Sequence, residues 1–379
     1  MRFRVADCRR ARCAAAGALV IVAKRSPPAE LPLADSVAPP GEIAGSAAVP
    51  AGVTDPDVAD PGSARDLGDG CSLTALMPDI AGDYPDDEAR LRAHWGHIVA
   101  VLDDSLSAEH LVVGAFMAAS TELDTATPLL ERAIAEGSDN PLVAWMAMDA
   151  CTAAPATPAC AAGEVERLAL DADGDNGAVW ARVASRHLKE GETAAGFAAL
   201  QRAATAPQFN TYWPEQILML ERALAASTND RYGARVMQAI GIAAAIVGWD
   251  AGVVETCRSE SLPPEHRPVC LAYGERLTAD ANTEIGTSIG LAIQRAVLSA
   301  AGDTAAANSV NARHEALRRH RRERDLQAVE RFVFYDENLL RQYIDVMLIR
   351  GESAAIRFLG EETERLLSLP GYDPCAGGS

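Results

Sequence analysis

The amino-acid sequence predicts an all-α protein, an α-solenoid of helix pairs that continues into a C-terminal helical domain. Three observations carry this. Alanine supplies much of the 49% hydrophobic content, and alanine is the strongest helix former and lets helices cross closely. Aromatic residues reach only 5%, too few for the β-branched and aromatic faces that strands need. Finally, a stretch repeats itself: "ERAIAEGSDNPLVAW" (Glu131–Trp145) is echoed by "ERLALDADGDNGAVW" (Glu166–Trp180). Glu-Arg returns after 166 − 131 = 35 residues and Trp after 180 − 145 = 35. A third, weaker copy starts at Gln201-Arg202 and carries Trp213. A period of about 34 is the mark of stacked helix–turn–helix units.

Residues 1–23 form a signal-like leader. Arg2, Arg4, Arg9, Arg10 and Arg12 precede the apolar run "CAAAGALVIVA". A cationic start with such a run is the pattern of a secretory signal, and the run is too short to span a bilayer. Asp7 in the cationic part and the bulky Ile21 before Ala23 depart from the pattern. The expected location is periplasmic or secreted; the alternative is cytoplasmic, with an ordinary start. Residues 24–85 are rich in proline, alanine, glycine and aspartate, with apolar residues in no period, and read as a disordered linker.

Residues 86–226 are the repeat region. Leu91, Trp95, Ile98 and Leu102 make the first helical stripe. The best-formed unit is "GAVWARVASRHLKEGETAAGFAALQRAATAP", residues 177–207. Small Ala184, Gly196 and Ala203 let its two helices cross, Gly191 permits the turn, and Trp180 fills the space between layers. With Val183, Leu200 and Pro207, these positions resemble the packing positions of a tetratricopeptide repeat; His187 stands where that family prefers tyrosine. The resemblance covers about residues 105–226 and implies a fold, not a function. Residues 227–370 continue as helices. Val236–Trp249 is apolar enough for a buried helix, and 284–300, 310–334, 336–350 and 352–368 read as further ones. Residues 371–379 are a tail.

The formal charge of −19 disfavours nucleic acid and anionic lipid, which require clustered cations. Lys24 and Lys189 are the only lysines, and neither lies in a phosphate-binding loop. Cysteines support export. Cys151 and Cys160 flank one proline-broken loop, Cys257 and Cys270 another, which suits disulfides between helix ends and leaves Cys71 for Cys375. The alternative is buried free thiols in a cytosolic protein.

Several local motifs match functional patterns only in part. Asp171, Asp173 and Asp175 alternate as in a calcium loop, but Asn176 replaces the required glycine and Arg182 the bidentate glutamate. They read as a junction between repeats. "GTSIG", with Ser288, matches a nucleophile elbow but lacks the preceding strand. His94 and His97 share a helix face without a third ligand, while Asp103 and Asp104 end that helix. Hence no catalytic residue, metal site or cofactor is assigned. Arg318, Arg319, Arg321, Arg322 and Arg324 form the one basic cluster, a candidate anion or partner contact, or a solvated face with internal ion pairs. A candidate groove runs along Val143, Met146, Ala150, Ala181, Ser185 and Leu188; the alternative is that these pack on a neighbouring helix. The leading expectation is a non-enzymatic interaction or scaffold module of the bacterial cell envelope, binding another protein or peptide. The alternative is an all-helical hydrolase with a carboxylate site in the C-terminal region.

Overall fold

The computed structural model describes residues 87–121, 124–153, 158–161, 163–245, 250–280, 282–323 and 333–373; for 87–91, 161, 245 and 320–323 the backbone alone is described. All belong to one compact unit, Asp69–Ser379. The leader, the whole linker with Cys71, Cys375 and Trp249 lie outside the described residues, as do Arg324 and the side chains of Arg321 and Arg322.

Among the described residues there are α-helices, one 3₁₀ turn and no strand. The repeat region comprises α1 (Asp87–Asp103), α2 (Ala108–Ser120), α3 (Ala126–Gly137), α4 (Pro141–Ala153), α5 (Pro158–Ala161), α6 (Glu164–Asp173), α7 (Gly177–Lys189), α8 (Thr193–Thr205) and α9 (Trp213–Ser227). The C-terminal region comprises α10 (Tyr232–Ala245), α11 (Ala251–Cys257), α12 (Arg267–Asp280), α13 (Glu284–Ala300), α14 (Thr304–Glu323), α15 (Glu337–Arg350) and α16 (Glu352–Leu367). Successive helices pack as pairs: α2 with α3, α4 with α6, α7 with α8, α9 with α10, α12 with α13, α15 with α16. The first helices of four pairs begin at 108, 141, 177 and 213, steps of 33, 36 and 36. The period read from the sequence is thus the period of the pairs. Gly191 turns α7 into α8 at φ 82°.

The aspartate stretch is the joint between units. Asn176 caps α7, its Oδ1 accepting from the Ala178 amide at 3.0 Å and the Asn210 amide at 2.9 Å. Both oxygens of Asp173 are taken by protein donors. Oδ2 accepts from Asn176 Nδ2 at 2.7 Å and the Tyr212 hydroxyl at 2.6 Å; Oδ1 accepts from Gln208 Nε2 at 2.8 Å. Asp171 and Asp175 are exposed.

Stacking departs from chain order after α8. The pair α7–α8 packs on α11 and α12, while α9 turns back onto α1, α2, α4 and α15. Arg222 of α9 reaches Glu109 of α2 at 2.6 Å. One buried apolar cluster therefore runs from Ile98 to Leu359. The two repeat tryptophans differ in consequence. Trp145 is wholly buried, with the Arg182 guanidinium 4.0 Å from its ring centre. Trp180 is only half-buried, beneath Arg202 at 4.4 Å, with its Nε1 donating to the Gly174 carbonyl at 2.7 Å. Both disulfides between helix ends form: Cys151–Cys160 joins α4 to α5, and Cys257–Cys270 joins α11 to α12.

Candidate functional site

Where α9 leaves α7, a small open recess of about 90 Å³ lies between the repeat and the C-terminal helices. Trp145 of α4, Arg182 of α7, Trp213 and Gln216 of α9, and Thr211 before it form one side. Asp250 at the start of α11, Leu277 of α12, Thr283, Ile285 and Ile289 around α13, and Glu352 of α16 form the other. The wall is mostly apolar, with a few polar groups converging, as in ligand pockets generally.

The aspartate joint builds part of this wall. Among the described residues, Tyr212 is the non-glycine with positive φ, 54°. Its hydroxyl is held by Asp173, its amide donates to Asn210 Oδ1 at 2.8 Å, and its ring tilts against Trp145 with centroids 5.6 Å apart. That left-handed residue sets the direction in which Thr211 and Trp213, its neighbours, leave the joint.

Most of the charge in the floor is internally satisfied. Arg182 ion-pairs with Asp149, both buried, and its Nη1 donates to the Trp145 carbonyl at 2.8 Å. Asp149 accepts at its other oxygen from Gln216 Nε2 at 2.7 Å. Burial lowers the Arg182 pKa to about 9, with nearby Asp250 opposing; it stays charged at neutral pH. Asp250 is less well provided for. It is 4% exposed, and Tyr273 reaches its Oδ2 only at 3.5 Å. Burial raises its pKa to about 6, against the pull of its own backbone amide, Tyr273, Lys189 and Arg182. Glu352 Oε2 accepts the Glu284 amide at 2.7 Å, so the start of α13 carries an anion supplied by the chain itself.

The residues proposed from sequence fall elsewhere. Val143, Met146, Ala150, Ala181 and Ser185 are buried and Leu188 is half-buried. The chain's own helices cover them: Gln216 of α9 reaches Met146 Sδ at 3.1 Å, and the Gly252 amide of α11 donates to Ser185 Oγ at 2.9 Å. The groove face is thus filled, for the reason that α9 and α11 pack on it. Arg318 is exposed with Glu315 at 3.6 Å, and Arg319 is exposed. Ser288 lies inside the unbroken helix α13. There Gly290 serves packing: a Cβ on it would meet the Gly274 carbonyl of α12 at 2.6 Å. His97 is exposed, His94 is half-buried, and Asp103 pairs with Arg132 at 2.7 Å. Ligand atoms of His187, Glu190 and Glu192 lie within 4.8 Å of one another. The Arg186 guanidinium already takes Glu190 at 2.5 Å and sits 3.3 Å from His187 Nε2, which opposes a metal ion there.

Sequence reasoning missed Asp250, Gln216, Trp213 and Glu352 as neighbours. The available signal was Arg182, a charge placed between Ala181 and Val183 on a packing face. Comparison with protein-family models, with curated proteins and with solved structures finds no match.

Proposed function

We propose that the protein is a non-catalytic binding module of the cell envelope, and that the recess is where it grips a partner protein or peptide. The observation that carries this is the recess itself. Two indoles, Leu277, Ile285 and Ile289 wall it, and the Arg182–Asp149–Gln216 network beneath is bonded inward. Ile285 is 47% exposed among lining residues that are buried or half-buried, as an anchor point for a partner would be. The recess holds a side chain or two rather than a folded domain. Two disulfides fit an oxidising compartment, and no described helix is long and apolar enough to cross a membrane.

A photo-crosslinking residue at Ile285, with one at exposed Gln201 as control, tests the proposal in the native envelope fraction. A discrete adduct from position 285 alone is the expected result. Identical labelling from both positions would overturn it. The hydrolase reading draws on Asp250, whose raised pKa suits a general acid. Turnover of a chromogenic ester or glycoside that disappears in Asp250→Asn would favour that reading over binding alone.

A further inference from the structure

With 53 acidic residues against 34 basic ones, an arginine of this chain readily finds a carboxylate: Arg132, Arg222 and Arg235 each lie within 2.8 Å of one. The seam between α13 and α14 differs. Arg295 of α13 donates to Asn311 Oδ1 of α14 at 2.9 Å, and Arg313 of α14 donates to Gln294 Oε1 of α13 at 3.1 Å. A neutral amide fixes a guanidinium without cancelling its charge. Exposed Arg318 has Glu315 at 3.6 Å, longer than the roughly 2.7–2.9 Å of a charge-assisted hydrogen bond.

Helix spacing brings these groups together. Asn311, Glu315 and Arg318 follow at steps of four and three, so they share one stripe of α14. The Arg295 guanidinium, held by Asn311, thus stands one turn from Glu315. His314, three places after Asn311 and four before Arg318, lies beside the same stripe. It is 8% exposed, and its ring has no hydrogen bond among the described residues. Burial, then Arg318 and Arg295, hold its pKa below the ordinary histidine value, with Glu315 opposing. Both guanidiniums therefore bear on one buried imidazole.

We propose that Arg295 and Arg318 hold a phosphate group between them, with His314 as a third donor, at a site separate from the recess. The charge fits. Two guanidiniums against the Glu315 carboxylate leave one positive charge, and a proton taken from solvent by His314 makes two. A phosphate monoester carries about that charge with the opposite sign. Its oxygens can serve two planar forks and an imidazole at once, which the two oxygens of a carboxylate cannot. Groups facing His314 are Arg295 of α13, and Arg318 and Glu315 of its own helix. A phosphate beside the ring favours its protonated form, so the His314 pKa rises when the site fills.

NMR of the His314 ring on the full chain, assigned with His314→Gln, tests this while inorganic phosphate replaces chloride at constant ionic strength. The His314 signal is expected to move saturably and its pKa to rise. Arg295→Gln and Arg318→Gln remove exposed side chains and should each weaken phosphate binding about tenfold, a difference of about 1.4 kcal/mol. Arg167→Gln, exposed on α6, should leave it unchanged. Glu315→Gln removes the competing carboxylate and should tighten binding about threefold. Glycerol phosphate in solution, and phosphatidylglycerol vesicles against phosphatidylcholine ones, separate the sources of the phosphate. Binding that is lost in Arg295→Gln names the source, and binding of inorganic phosphate alone names the free ion. A His314 signal that phosphate leaves unmoved, or that moves alike in the wild type and both arginine variants, overturns the assignment. Equal weakening in Arg167→Gln would reduce it to bulk charge and overturns it as well.

Discussion

At the scale of single residues, two buried charges set different tests. Arg182 and Asp149 form an ion pair that water scarcely reaches. Arg182→Ala would strand Asp149 and is expected to cost about 3–5 kcal/mol. The double replacement Arg182→Met with Asp149→Leu should recover most of that, because no charge is then left buried. Urea unfolding measures both, and a double variant as weak as the single would show that the pair matters for more than charge balance. Asp250 sets the pH test. Its carboxyl ionises at about 6 in the folded chain and near 3.8 when unfolded. Between those values the folded state keeps a proton that the unfolded state has lost. Stability therefore falls as pH rises through that window, by at most about 1.4 kcal/mol per unit. Asp250→Asn should remove the descent; a variant with the wild-type profile would place the titration elsewhere.

At the scale of elements, the recess depends on how α11, α12 and α13 are held. Cys257 ends α11 and Cys270 lies in α12, both buried. Closing this short loop stabilises by about 3 kcal/mol in the chain-entropy model. Replacing both cysteines by serine should lower the melting temperature and also weaken binding, since α11 starts at Asp250. Lost stability with unchanged binding would mean that α11 is positioned by packing alone. The α12–α13 crossing rests on Gly290. An added Cβ would meet Gly274 O at 2.6 Å, Thr278 Oγ1 at 2.7 Å and Leu277 Cβ at 2.9 Å. Gly290→Ala should spread the helices and cost about 1–3 kcal/mol, read by thermal melting. A neutral alanine would show that the crossing yields.

At the scale of the whole described unit, the return of α9 onto the first helices decides cooperativity. A stack whose units touch only their neighbours can unfold piecemeal. Here α9 binds α1, α2, α4 and α15 at once, and the apolar cluster is continuous across both regions. Denaturant unfolding followed by far-ultraviolet circular dichroism and by tryptophan fluorescence should give coincident transitions. Separated midpoints would show that the repeat and C-terminal regions fold independently. The Arg318–Arg319 end of α14 stays solvated, so its neutralisation should move neither midpoint.

Helix content, the pairing period, the two disulfides and the limits of several helices were legible in the sequence, because each rests on neighbours within about forty positions. Alanine content, glycine turns and proline-broken loops act locally, and the 35-residue echo of Trp145 at Trp180 records one packing unit laid beside the next. The aspartate stretch was readable as a joint, but its grip on Tyr212 was not, since no repeated residue or motif marks the tyrosine that Asp173 takes. The recess belongs to the tertiary structure alone. Trp145, Arg182, Asp250 and Glu352 come from four helices or their starts, and no period links them. They line one recess because α9 packs on α1, α2 and α4 while α7 and α8 pack on α11 and α12. A burial choice of that kind is settled by the sum of long-range contacts, which no local stretch of sequence encodes.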